Sequence, residues 1–300
     1  MKQANEMKYI TAVVLAGILW GFMGLFRRNL AKAGIDAGGI VFLRCGLAAL
    51  LLFLTLLLKD RSALKIRLRD LWCFAGTGIC SMLFLSYCYY QAMNYMSLSA
   101  AAILLYTAPM IVVALSSILF RETLTKRKLL AMALAFLGCC LVSGVGSSAR
   151  LSAAGILYGL GSGFGYALYS IFARFALERG YSSLTVTFYT CLFASLGAAM
   201  IWGAREPLTQ MISSPESLGW SLGIAFFTGY LAYLLYTYGL TGLETGKASI
   251  FANVEPVVAA IVGIVIFREP MTPMNLSGIL CVLAAVLLLS GYSSGEKKTQ

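Results

Sequence analysis

The segment 118–125, Ile-Leu-Phe-Arg-Glu-Thr-Leu-Thr, returns 147 positions later as 265–272, Val-Ile-Phe-Arg-Glu-Pro-Met-Thr. The same offset lays Pro109 on Pro256 and Tyr89 on Tyr236, and an offset of 146 lays Trp20 on Tyr166, Phe26 on Phe172 and Arg28 on Arg174. The chain is therefore a duplication, divided into a first repeat, 1–147, and a second, 148–300. An internal repeat in a hydrophobic chain usually encloses a pathway where its copies meet.

Both copies are written in apolar residues. With 60% hydrophobic and 12% charged side chains and a mean hydropathy of +0.84, the chain has too few polar groups to cover a water-soluble globule. Long apolar runs at 9–26, 37–58, 71–95, 99–120, 129–145, 153–175, 182–203, 218–240, 245–267 and 274–292 predict ten transmembrane helices, since ~20 residues cross ~30 Å of hydrocarbon. The short alternating segments of a β-barrel are not seen. The expected fold is an all-α membrane protein with five spans in each repeat. The first run follows Lys2 and Lys8 as a secretory leader would, but its counterpart at 153–175 argues for a permanent helix.

Eight cysteines fall inside the expected helices and read as small apolar packers. There is no histidine and no Cys-x-x-Cys, so no metal site and no cofactor are expected. The net charge of +11 reads as topology rather than as a nucleic-acid partner. With the N-terminus inside and ten spans, sixteen Lys and Arg fall in inner segments and six in outer ones, with Arg44 within the second helix. That bias predicts cytoplasmic N- and C-termini. An odd number of spans per copy turns the second copy upside down relative to the first.

The chain resembles the drug/metabolite transporter superfamily, in particular its ten-helix EamA-type members. The resemblance is carried by the twin segments from mid-helix proline to terminal glutamate, 109–122 and 256–269, by Glu255-Pro256-Val257, and by Phe42-Leu43-Arg44 early in the second helix. It covers nearly the whole chain. It implies an inverted repeat of five helices plus five, a bacterial inner-membrane location, and export of small metabolites such as amino acids. In one respect the chain departs from the family: Arg121 and Arg268 stand where glycine is common.

Glu255 is the only acid in the interior of an expected span, about 15 Å deep at ~1.5 Å per residue. A charge there costs about 2.5–3.5 kcal/mol on insertion scales and should face a cavity or a partner. It could bind an ammonium group, carry a proton, or serve as a structural acid. Arg44, on the order of 10 Å into the second helix, could reach Glu255, bind a substrate carboxylate, or snorkel outward. Pro109 and Pro256 deprive the carbonyls of Leu105 and Ala252 of their helical donors. They are expected to bend their helices and wall a binding site, or to form a permanent packing kink. Tyr106 and Asn253 sit beside them at equivalent positions of the two copies.

Further candidates for the pathway are Trp20, Tyr166, Tyr169, Tyr230 and Tyr233, all mid-helix, and Tyr87, Gln91 and Asn94, which share one helix face. A cavity rich in tyrosine suits organic solutes, aromatic or cationic. Gly17 and Gly21, and Gly155, Gly159 and Gly163, recur every four residues and allow helices to approach closely.

The reading that follows is a secondary carrier that exports small organic solutes across the cytoplasmic membrane by alternating access. No Walker loop is present, so a gradient drives it, with proton coupling through Glu255 as an expectation within this reading. Its partners are a small-molecule substrate, the lipid bilayer and protons; oligomeric state is left open, and a monomer suffices. A passive facilitator or channel on the same fold is the alternative. An intramembrane enzyme would lack parts, with one buried acid and no histidine.

Overall fold

A computed structural model describes residues 2–143 and 152–290, and all regular structure among them is helical. The first repeat runs α1 (Lys2–Gly21), α2 (Met23–Lys32), α3 (Ala37–Lys59), α4 (Leu71–Ala75), α5 (Phe84–Tyr95), α6 (Leu98–Leu105), α7 (Ala108–Leu119) and α8 (Lys126–Ser143). The second runs α9 (Ala153–Glu178), α10 (Ser183–Trp202), α11 (Arg205–Met211), α12 (Pro215–Gly223), α13 (Ala232–Leu240), α14 (Thr245–Phe251), α15 (Val254–Phe267) and α16 (Pro273–Ser290). Several helices begin where the sequence supplies a side-chain acceptor for their first amides. Asp36, Ser97, Ser152, Ser182 and Ser214 cap α3, α6, α9, α10 and α12, accepting from Gly39, Ala100, Gly155, Thr185 and Ser217.

The two copies are inverted, and matched helices demonstrate it where they touch. Along α3 and α10, Gly38 lies against Trp202, Gly46 against Ser195, and the carbonyl of Ala63 accepts from Thr185 Oγ1 at 2.9 Å. Along α8 and α16, Asn275 Nδ2 donates to Val142 O at 3.0 Å, while Gly138 backs onto Gly278 and Val282. In both pairs the start of one helix meets the end of its mate. The bundle thus has a Glu122 end and a Glu269 end, occupied by equivalent segments of opposite copies.

Among the described residues, nine helical stretches are long and apolar enough to cross a membrane. The tenth expected span, 129–145, corresponds to α8, whose 18 residues open with Lys126, Arg127 and Lys128. Those three charges keep it from meeting the same standard; Gly144 and Val145, like Tyr292 of the last expected span, lie outside the described residues. The outward surface agrees with a lipid environment: Leu58, Leu157, Met200 and Leu287 are largely exposed.

The paired prolines break their helices rather than bend them. Between α6 and α7 the chain turns at Tyr106 and Thr107, and between α14 and α15 at Ala252 and Asn253. Each break is packed against a glycine of the other copy's first helix. Gly17 in α1 faces Ala252 O, and Gly163 in α9 faces the carbonyls of Leu104 and Leu105. Gly17 and Gly163 are mates at offset 146, and any side chain there would strike these carbonyls. A second irregularity is also duplicated: α4 and α5, and α12 and α13, are joined by π-helical turns at Gly76–Leu83 and Ile224–Leu231. Such turns rotate the helix face that follows and are frequent at functional sites.

Candidate functional site

The first helix break, the second π turn and helices of both copies line one cleft. About 1020 Å³ of empty space lies within it, open solvent at its mouth included. Its lining comes from Trp20 (α1), Met23, Gly24 and Arg27 (α2), Ile40, Val41 and Arg44 (α3), Leu85, Ser86, Tyr89 and Tyr90 (α5), Leu105 and Tyr106 at the first break, Tyr166 (α9), Ile224, Tyr233 (α13), and Glu255 and Ala259 (α15). The depth is set by Trp20, Tyr166, Tyr233 and Glu255. The mouth, near Gly24, Arg27, Tyr89 and Ala259, faces the Glu269 end.

At the bottom, the Tyr166 hydroxyl donates to Glu255 Oε2 at 3.2 Å. Trp20 packs edge-on against Tyr166 and Tyr233, with ring centres 6.3 and 5.0 Å apart. Its indole N–H donates to Thr228 O, a carbonyl of the second π turn, at 3.2 Å. Arg44 is 6% exposed, with Nη1 3.5 Å from Met23 Sδ and its guanidinium 6.0 Å from the centre of the Tyr233 ring. Nearer the mouth, Arg27 lies over Tyr90, 5.7 Å from the ring centre.

Beyond the floor, the Glu122 end is sealed in layers. Tyr169 and Thr237 share a hydrogen bond at 2.6 Å, and Ser170 and Tyr236 share one at 2.7 Å. Arg174 then donates to the carbonyls of Leu240 and Leu243 at 3.0 and 3.3 Å. Outermost, Glu122 receives the amides of Thr245 and Gly246 at 2.5 and 3.0 Å, as a cap on α14, together with Ser116 Oγ at 3.0 Å. Lys128, 1% exposed, bridges Glu122 at 3.1 Å and Glu244 at 3.3 Å. Burial acts to raise the Glu122 pKa, but the amides of Gly246 and Thr245 and the Lys128 ammonium overcome it, and the carboxyl sits below its ordinary value.

Of the residues singled out in the sequence, Trp20, Arg44, Tyr106, Tyr166, Tyr233 and Glu255 come together on the cleft wall. Tyr169 lies one layer below, in the floor. Pro109 and Pro256 are buried at the starts of α7 and α15, and Asn253 is buried in the second break without lining the cleft. Tyr87 and Gln91 face elsewhere: Tyr87 is 38% exposed beside Tyr158, and Gln91 Oε1 accepts from Asn94 Nδ2 at 3.1 Å. They do share a face, but the π turn before α5 rotates Ser86, Tyr89 and Tyr90 into the cleft instead. Tyr230 stands on the far side of its helix, its hydroxyl 3.2 Å from Thr55 Oγ1.

Arg27 is one of the six cations that the sequence places in outer segments. The helix that carries it continues to Lys32, and the spacing of Trp20, Met23, Gly24 and Arg27 on a single face was the available signal. The ion cluster of Glu122, Lys128 and Glu244 left no comparable trace, because its members are far apart in sequence.

A helical membrane protein of two inverted repeats, with one central cleft shared between them, has the architecture of a transporter. The model of the EamA-like transporter family matches residues 7–144 and again 153–291, and the chain belongs to that family. Its relatives include an uncharacterized transporter of Archaeoglobus fulgidus, 31% identical over 92% of this chain and 94% of its own length. The uncharacterized transporter YetK of Bacillus subtilis is 27% identical over 86% of this chain and 83% of its own. A crystal structure with 13% sequence identity superposes with a TM-score of 0.80 over 97% of this chain and 99% of that one, which establishes the shared fold.

Proposed function

We propose that this protein is a secondary carrier that moves small organic solutes, such as amino acids, out across the cytoplasmic membrane by alternating access. The observation that carries the reading is that matched residues do opposite jobs at the two ends. Arg174 ties α9 to the carbonyls of Leu240 and Leu243. Its mate Arg28 leaves the equivalent carbonyls, those of Met93 and Met96, and pairs with Glu269 at 2.6 Å on the surface. Glu122 caps α14, while its mate Glu269 is half exposed. One end is latched and the other is not. Exchanging the two arrangements closes the Glu269 end over the cleft and opens the Glu122 end, which is the rocking that inverted repeats permit.

The excess of cations at the Glu122 end makes it cytoplasmic under the positive-inside rule, with both termini inside. On that assignment the cleft opens toward the outer side. Glu255 at the cleft floor, hydrogen-bonded only to Tyr166 among the described side chains, is placed to exchange a proton with whichever side the cleft faces. The test uses proteoliposomes loaded with a mixed metabolite pool. Solutes that leave are identified by mass spectrometry, with and without a proton gradient, in the native protein and in Glu255→Gln. Saturable counterflow in the native protein, with pH-driven exchange lost in the variant, is expected. Flux that never saturates would replace the carrier by a channel, and unchanged pH-driven exchange in Glu255→Gln would refute the coupling.

A further inference from the structure

We propose that Arg44 is the docking point for a carboxylate, so that the cleft's ligand is an organic anion with an apolar, ring-sized body. The proposal deepens the carrier reading and rests on it only for calling that ligand a transported solute. Arginine stays charged at any physiological pH, so a buried guanidinium needs acceptors, and an anion is the best of them. This chain shows how it treats a buried cation that is structural: Lys128 is held between two carboxylates at 3.1 and 3.3 Å. Arg44 has no such provision. Among the described residues no carboxylate lies within 4.0 Å of it. Its Nε is buried without a partner, and its polar contacts are with sulfur, the thioether of Met23 at Nη1 and the thiol of Cys45, both weak acceptors. The Tyr233 ring stands at the outer limit of cation–π attraction.

The charges that face the cleft point the same way. Arg27 and Arg44 line it against Glu255 alone, and the Glu255 carboxylate already accepts from Tyr166. The cleft is net positive, which repels an organic cation and attracts an anion. A planar carboxylate matches the planar fork of a guanidinium in a way that a single point charge does not. Trp20, Tyr106, Tyr166 and Tyr233 then present ring faces and edges to the body of the ligand. The cationic solutes admitted by the aromatic content alone are disfavoured once both arginines are placed.

The test is direct binding to the full chain purified in detergent, with three probes of one skeleton: phenylacetate, phenylacetamide and phenethylamine. Calorimetry should find phenylacetate bound at least about tenfold more tightly than the other two, the scale of a charged hydrogen-bonded contact. Arg44→Met and Arg44→Gln should lose that preference, and Arg44→Lys should retain part of it. The ligand-free melting temperature of Arg44→Met should be unchanged or raised, because the substitution removes an unneutralised buried charge. Preference for phenethylamine, undiminished phenylacetate binding in Arg44→Met, or failure of that variant to fold while Arg44→Lys shows no carboxylate preference would each overturn the proposal. Arg44-dependent binding without flux would leave this site standing and remove the carrier; saturable flux of neutral solutes without carboxylate preference would do the reverse.

Discussion

Arg121 and Arg268 are the only non-glycine residues with positive φ among those described, and both take φ 55°. They are mates at offset 147, so the fold demands a left-handed residue at the same point of each copy. The reason lies one residue on. That backbone turn lets the amides of Glu122 and Glu269 reach back to Ser116 O at 3.4 Å and Gly263 O at 3.1 Å, ending α7 and α15. Glycine adopts this conformation freely and arginine does not. Both side chains are exposed, so Arg121→Gly and Arg268→Gly should each stabilise the protein by about 0.5–1 kcal/mol. Arg121→Val should destabilise it by a similar amount or more, since branched residues fit this region worst. Thermal unfolding of the two glycine variants and their combination checks this, with additive gains expected from sites at opposite ends of the bundle.

Among the elements, α8 and α16 depend on each other most plainly. A Cβ on Gly138 would stand 2.7 Å from Gly278 O, and one on Gly278 would stand 2.7 Å from Gly138 O and from Val142 N. Those are backbone atoms and cannot step aside, so Gly138→Ala must separate the helices at a cost of about 1–3 kcal/mol. Gly278→Ala should cost as much, and the double variant less than the sum, because the first substitution has already opened the gap. Unfolding in detergent of the three variants measures it. The all-helical class and the twofold plan could be read from the sequence because apolar runs and the duplicated Pro-to-Glu segments announce them. The face each helix turns inward could not be read with the same success. The π turn at Gly76–Leu83 shifts the phase of α5, so that Tyr89 lines the cleft and Tyr87 does not; of the two tyrosines singled out in the eighth span, Tyr233 lines the cleft and Tyr230, inside the second π turn, does not. Glu255 was legible for a different reason: a lone acid amid apolar residues announces itself whatever the rotation.

At the scale of the whole molecule, the latched end holds its state through a group that titrates. The Glu122 carboxyl is held below its ordinary value by the Gly246 and Thr245 amides and by Lys128, against the opposing effect of burial. A depressed carboxyl contributes stability above its unfolded value and loses it as pH falls through the lowered one. Acidification through that range should therefore loosen the Glu122 end. Hydrogen exchange of the 244–251 segment, corrected for the intrinsic pH dependence of exchange, should quicken as the carboxyl protonates. Glu122→Gln should exchange quickly already at neutral pH and show little further change on acidification; a variant that retained the native profile would place the latch elsewhere.

The antiparallel pairing of α8 with α16 reaches back to how such a chain is inserted and inherited. Lys126, Arg127 and Lys128 open α8, and their mates at the start of α16 are Pro273, Met274 and Asn275. One backbone plan thus carries two opposite address labels, and a segment copied from one half into the other would arrive with the wrong one. Under the positive-inside rule, the cations that open α8 and are missing from the start of α16 distinguish the orientation proposed for one half from that of the other.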